Sequence, residues 1–199
     1  MAEGNKKNEA TGKYVKPFTT LEKKRIASEL ATGKNKRDFA LFIISVEQGI
    51  RATDLLKLQF KNLDSLNIKE RYNFIEGKTK KQNFIFMNEK TFEALHVYID
   101  SLESYDPEDY LFSSRKGNKA ISLQQLGRLV KDWCSYAKVK KSTDYGIRSL
   151  RKTFGRLSYE SSNNPRILTL LKERFNHSSE SMTIKYLDIT TEDMEALFN

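Results

Sequence analysis

RFNHSSESMTIKY, residues 174–186, places His177 nine residues before Tyr186. One histidine and one tyrosine carry little meaning alone; two earlier stretches supply it. An apolar run ends in Gly49-Ile50-Arg51-Ala52-Thr53-Asp54, and Arg148-Ser149-Leu150-Arg151-Lys152-Thr153-Phe154 forms a basic cluster. In chain order the sequence offers Arg51, Lys78, Arg148 with Arg151, His177 and then Tyr186. Guanidinium groups match the non-bridging oxygens of a phosphate with bidentate hydrogen bonds and keep their charge at any working pH. The series describes a cationic cradle for a phosphate, followed by a phenol able to attack it. Arg148 and Arg151 are three residues apart, so a helix start presents both on one face. For each arginine taken singly, the plain alternative is a surface salt bridge.

The composition agrees with a polyanionic partner. The chain has 199 residues, enough for one domain or a domain plus a tail. Charged residues make up 31% and the formal net charge is +9, which favours nucleic acid over a merely soluble basic surface. The longest apolar run, residues 39–46, is broken by Ser45. It falls far short of the roughly 18 residues a membrane span needs. The first residues, MAEGNKKNEATGK, lack the apolar core of a signal peptide. A cytoplasmic protein with no membrane partner is expected. Cys134 is the one cysteine, which excludes an internal disulfide and a cysteine-cluster metal site.

Residues 1–16 are polar, Lys-rich and aperiodic, and read as a disordered basic tail. Thr19-Thr20-Leu21-Glu22 carries a capping signal for a helix to about residue 31. Asn35 begins a second helix, apolar on nearly every side and hence buried all round, which Gly49 ends. Arg51 opens a short helix beyond it. Residues 72–76 and 83–87 read as strands, with the basic tip Gly77-Lys78-Thr79-Lys80-Lys81-Gln82 between them. Helices are expected at 91–102, 122–137, 148–160, 165–174, 179–187 and 191–198.

Competing chemistries fail on spacing. Gly77-Lys78-Thr79 hints at a P-loop, but that loop needs a glycine five residues before its Gly-Lys pair, and Tyr72 stands there. His96 lies beside Phe92 and Ile99 on an amphipathic helix and reads as a border histidine. Two histidines and one cysteine make a zinc site improbable. No GxSxG elbow exists. Asp54 and Asp64 form no close carboxylate pair of the kind a two-metal nuclease requires. No metal or other cofactor is expected.

The whole pattern resembles the tyrosine recombinase (phage integrase) family. QGIRATDLLKLQFKNLD is similar to the family's first-arginine motif, with Arg51 as the arginine and Asp54 as its acidic support. FIEGKTKKQNFIFM resembles the β-hairpin that bears the catalytic lysine, with Lys78 the best match and Lys80 the next. LFSSRKGNKAIS is like the loop before the middle helix. IRSLRKTFG corresponds to the H-x-L-R-H-[TS]-F box, and FNHSSESMTIKYLDI to the box giving His177 and the nucleophile Tyr186. The likeness runs from about residue 17 to 198. It implies a mainly α fold, a helical bundle with a small antiparallel β-hairpin, over residues 17–199. Arg148 stands where the family usually has histidine, Lys152 where a second histidine is common, and Phe175-Asn176 replaces Leu-Gly before His177. Arginine donates hydrogen bonds but is a poor acid or base. Phosphate binding should therefore survive that exchange better than proton transfer.

The resemblance implies a site-specific DNA recombinase that cleaves and rejoins DNA through a 3′-phosphotyrosine, in integration, excision, inversion or resolution. Arg51, Arg148, Arg151 and His177 would stabilise the transition state, and Lys78 would protonate the leaving 5′-oxygen. Lys80, Lys81, Arg115, Lys116, Lys119 and Lys152 are the expected DNA-binding residues. The implied partners are double-stranded DNA, a homotetramer on paired sites and accessory DNA-bending proteins, which places the protein at the nucleoid when bound. Residues 187–199 are a candidate for docking on a neighbour. The family usually carries an N-terminal domain that clamps the far face of the DNA. This chain is thus expected to be a fragment or a compact stand-alone member resembling the fimbrial phase-switch invertases. The alternatives are a catalytically weakened DNA-binding relative, a type IB topoisomerase-like strand transferase, and a basic RNA-binding module, for which no RNP or KH motif appears.

Overall fold

A computed structural model describes residues 14–114 and 119–190, together with Asp193 and Glu195. The first helix, α1 (Thr20–Thr32), starts where its capping box requires. The Thr19 backbone N–H donates to Glu22 Oε2 at 2.8 Å, and the Glu22 N–H donates to Thr19 Oγ1 at 3.2 Å. Asn35 caps α2 (Lys36–Gln48) by accepting from the Asp38 N–H. All side chains of residues 40–46 are buried, as an all-round apolar helix must be. Ser45 sits among them because its hydroxyl donates to the Leu41 carbonyl.

Gly49 then turns the chain with φ +58°. A Cβ there would lie 2.2 Å from the Phe154 ring, so both the backbone and the close approach demand glycine. The short helix α3 (Ala52–Leu55) follows, with Arg51 at its N-cap position. The hairpin pairs β1 (Arg71–Ile75) with β2 (Gln82–Phe86) antiparallel, Asn73 opposite Phe84. These strands begin and end one residue earlier than expected. Glu76 leaves the ladder because its carbonyl accepts from the Lys80 N–H and its own N–H donates to the Lys81 carbonyl, which closes the turn.

Four further helices follow the pattern read from the sequence. They are α4 (Glu89–Ile99), capped by Asn88; α5 (Leu123–Tyr136), capped by Ser122; α6 (Ile147–Ser161); and α7 (Ile167–Arg174). The nucleophile candidate rides on the next, α8 (Glu180–Leu187), capped by Ser179. α2 packs against α1, α4 and α6, and the main core surrounds it, with Phe18, Phe42 and Trp133 fully buried. A smaller apolar cluster of Leu171, Phe175 and Leu187 joins α7 to α8 and includes Tyr186 at its edge. Gly155 on α6 makes that junction close: a Cβ there would lie 2.5 Å from Leu187 and 2.6 Å from Phe175.

Residues 14–16, expected in the tail, lie against the domain. The Lys16 N–H donates to the Asp144 carbonyl at 2.9 Å. Phe18 stacks on Tyr145 and its N–H donates to Thr153 Oγ1 at 2.8 Å. The rest of that tail, Arg115, Lys116 and most of the helix expected at 191–198 lie outside the described residues.

Candidate active site

Three chain corners converge to build the site. The first is the Gly49 turn, which delivers Arg51. The second is the start of α6, where Arg151 is 9% exposed and Arg148 is exposed one turn earlier. The third is the end of α7. There the His177 N–H donates to the Lys172 carbonyl and the Asn176 N–H to the Glu173 carbonyl, both at 2.9 Å. This is the Schellman arrangement, and it places Asn176 in the left-handed region with φ +51°. Asparagine tolerates that conformation better than other non-glycine residues. The departure from Leu-Gly to Phe-Asn therefore keeps the turn that aims His177.

One carbonyl gathers the cations. The Phe175 oxygen accepts from Arg151 Nη2 at 2.9 Å and from Arg51 Nη2 at 3.3 Å. Arg151 Nε also donates to the Gly49 carbonyl at 2.9 Å, and its guanidinium lies 4.8 Å from the Phe175 ring centroid. Two guanidiniums thus stand side by side in a largely dry corner, an arrangement that favours an anion. Burial lowers the Arg151 pKa, but an arginine stays protonated throughout the working range. Arg174 supports the cluster from behind, donating to the Gln48 and Phe84 carbonyls and to Asn83 Oδ1.

His177 and Tyr186 complete the site. Their rings meet edge to face with centroids 5.2 Å apart, and Phe175 packs on Tyr186 at 5.4 Å. His177 Nδ1 pairs with Thr183 Oγ1 at 3.1 Å, which fixes the ring against α8. Burial, then the positive charges of Arg151 and Arg51, lower the His177 pKa to about 4. The imidazole is therefore neutral in the folded protein near pH 7. Burial raises the Tyr186 pKa, while Arg151, Arg148 and Arg51 pull it back down.

A histidine with its folded pKa below the unfolded one contributes stability above the unfolded value of about 6.5, and loses it as pH falls through the folded one. Wild type should thus lose more denaturant-measured stability between pH 7 and pH 4 than His177→Gln does. Glu76, whose pKa is lowered, adds an acid-side loss to both proteins, so the difference between them isolates His177.

The other expected site residues divide. Lys78, Lys80 and Lys81 are exposed at the hairpin tip, and Lys119 is exposed beside the segment that follows Ser114. Lys152 faces inward instead: it is 6% exposed, and its Nζ donates to Asp188 Oδ2 at 2.7 Å. That ammonium also lies 4.6 Å from the Tyr14 ring centroid and 5.7 Å from that of Tyr186. It ties α6 to the end of the helix carrying the phenol. Asp54 reaches Gly77, accepting its N–H at 3.0 Å, whereas the carboxylate paired directly with Arg51 belongs to Glu76. Glu76, Arg174, Thr183 and Asp188 were not singled out from the sequence.

Residues 18–193 match the phage integrase family. The chain belongs to that family. Its mainly helical fold with a two-stranded antiparallel sheet is that of the tyrosine recombinase catalytic domain. It is similar to the probable integrase/recombinase YoeC of Bacillus subtilis (strain 168), 30% identical over 184 residues, which cover 92% of this chain and 95% of that protein. It is 27% identical to the tyrosine recombinase XerC of Caldanaerobacter subterraneus subsp. tengcongensis over 184 residues, 92% of this chain but half of that one. Among solved structures, the XerH site-specific recombinase bound to palindromic difH substrate in a post-cleavage complex shares the fold. Its TM-score is 0.71 at 22% identity, over 96% of this chain and 54% of that one. No helix among the described residues of this integrase-family domain is long and apolar enough to cross a membrane.

Proposed function

We propose that this domain cleaves and rejoins double-stranded DNA at specific sites through Tyr186. The phenol oxygen attacks the scissile phosphorus and gives up its proton to water, a 3′-phosphotyrosine forms, and the bond to the 5′-oxygen breaks as Lys78 supplies the proton that oxygen needs. Rejoining reverses the step on a partner strand, so the ester conserves the bond energy. Arg51, Arg148, Arg151 and His177 bind the non-bridging oxygens and stabilise the charge that develops on them. The observation that best supports this reading is the Phe175 carbonyl holding Arg51 and Arg151 together, with the His177 and Tyr186 rings on the same short segment of chain.

Neutral His177 fits the role of a hydrogen-bond donor to phosphate in place of a third fixed charge. Lys80, Lys81 and Lys119, all exposed, suit contacts to the DNA backbone. Arg115 and Lys116 extend that set. Exchange between two duplexes calls for four protomers, with residues 187–199 the segment proposed to dock on a neighbour and accessory DNA-bending proteins shaping the site. The bound protein would reside at the nucleoid.

Arg148 decides between this reading and a binding-only relative. It is exposed, and its charge acts to lower the Tyr186 pKa, a service that a neutral histidine would not give. Arg148→His should therefore slow single-turnover cleavage and add a pH dependence near the histidine value of about 6.5. The measurement is adduct formation from pH 5.5 to 9. A wild type that binds but never cleaves, beside an Arg148→His variant that does, would favour the binding-only reading.

A further inference from the structure

Glu76 is wholly buried at the corner where β1 ends. Tyr72 and Phe74 turn inward along that strand, and the same alternation carries Glu76 inside. Its Oε1 accepts from Asn83 Nδ2 at 2.8 Å, and its Oε2 accepts the Thr79 hydroxyl and pairs with Arg51 Nη1. Asp54, three residues beyond Arg51, holds the Gly77 N–H. Gly77 and Thr79 are the two neighbours of Lys78. Two buried carboxylates therefore fasten both flanks of the lysine to the corner that delivers the arginine. Removing a carboxylate from water is costly unless it is fully paired, and Glu76 has a partner on the arginine corner, on the lysine turn and on β2.

Resting on the recombinase reading above, we propose that Glu76 is a positioning residue for strand cleavage. It holds Arg51 and the Lys78 turn as one unit, so that the phosphate ligand and the proton donor to the leaving oxygen are aligned together. Glu76 itself touches no substrate; it acts through Arg51 and Lys78. Its negative charge also acts on Arg151, which lets the two guanidiniums stand close before DNA arrives.

The consequence is specific to the leaving group. An alkoxide must be protonated as it departs, whereas a thiolate departs without a proton. The test uses a nicked duplex chosen for covalent capture by wild type from a randomised pool, made with oxygen or with sulfur at the bridging 5′ position. Glu76→Gln keeps the size of the side chain and removes its charge. Thr79→Val cuts only the tie to the turn and leaves the Arg51 pair in place.

Glu76→Gln should slow cleavage of the oxygen duplex roughly ten- to a hundredfold, the worth of one charge-assisted contact. The sulfur duplex should be slowed much less, so the oxygen-to-sulfur rate ratio falls. Thr79→Val should lower the same ratio by a smaller factor. The ratio is taken within one preparation, so any unfolded fraction cancels. Variants that keep the wild-type ratio, however slow they are, would overturn the proposal and leave Glu76 a packing residue. A randomised pool from which wild type captures no duplex at all would overturn the recombinase reading itself, and this inference with it.

Discussion

Tyr186→Phe is expected to abolish covalent attachment to DNA while leaving DNA affinity and fold almost unchanged. The change deletes one oxygen, and the ring keeps its packing on Phe175 and His177. Phosphate contacts supply most DNA affinity, and none of the basic residues is altered. A denaturing gel of wild type with nicked duplex should show a shifted band, and the Phe variant none. Filter binding should hold the two proteins within a few-fold of each other. A shifted band that persists in the variant would move the nucleophile elsewhere.

Arg151→Ala is expected to produce the largest combined loss. Removing one preorganised donor from a transition-state oxyanion typically costs about 2.7–4 kcal/mol, or roughly a hundred- to thousandfold in rate. Arg151 also holds the Gly49 and Phe175 carbonyls, and a buried polar group left unsatisfied costs about 1–3 kcal/mol. The variant should therefore melt at a lower temperature as well as cleave more slowly. Arg51→Ala should slow cleavage to a similar degree, and DNA binding should weaken much less in both, because the exposed lysines remain. Single-turnover rates within about threefold of wild type would show both arginines to be structural.

Much of this architecture was legible because the sequence speaks in local rules. Thr19 with Glu22, Asn35 and Ser122 announce helix starts through their side-chain oxygens, and each is a cap in the fold. The apolar run at 39–46 reads as a buried helix and Gly49 as its end, and the fold has both. The strands lie one residue earlier than their sequence suggests, because Glu76 reads as a strand residue until its turn hydrogen bonds are seen. Period-two alternation from Tyr72 and Phe74 is the signal that could have pointed Glu76 inward, since it puts a carboxylate on the buried face of a strand.

Other features had no local signature. Lys152 looks like one more basic residue of an exposed cluster; only the fold brings Asp188 and the Tyr186 ring to it. The carbonyl of Phe175 cannot be read as a ligand from its side chain, although it gathers both guanidiniums. Residues 14–16 looked like tail because their partners, Asp144 among them, lie more than a hundred residues away. Long-range pairing of this kind is set by packing, not by the composition of the segment itself.

The central claim is that Tyr186 carries the scissile phosphate, and covalent capture tests it most directly. The protein is incubated with a randomised library of nicked duplexes, denatured, and digested with protease. The peptide that retains nucleotides is then identified by mass spectrometry. The account predicts a 3′-phosphoryl nucleotide on the peptide containing Tyr186, and its disappearance in Tyr186→Phe. An adduct mapped to another residue, or a library that is bound with sequence preference yet never captured, would contradict it.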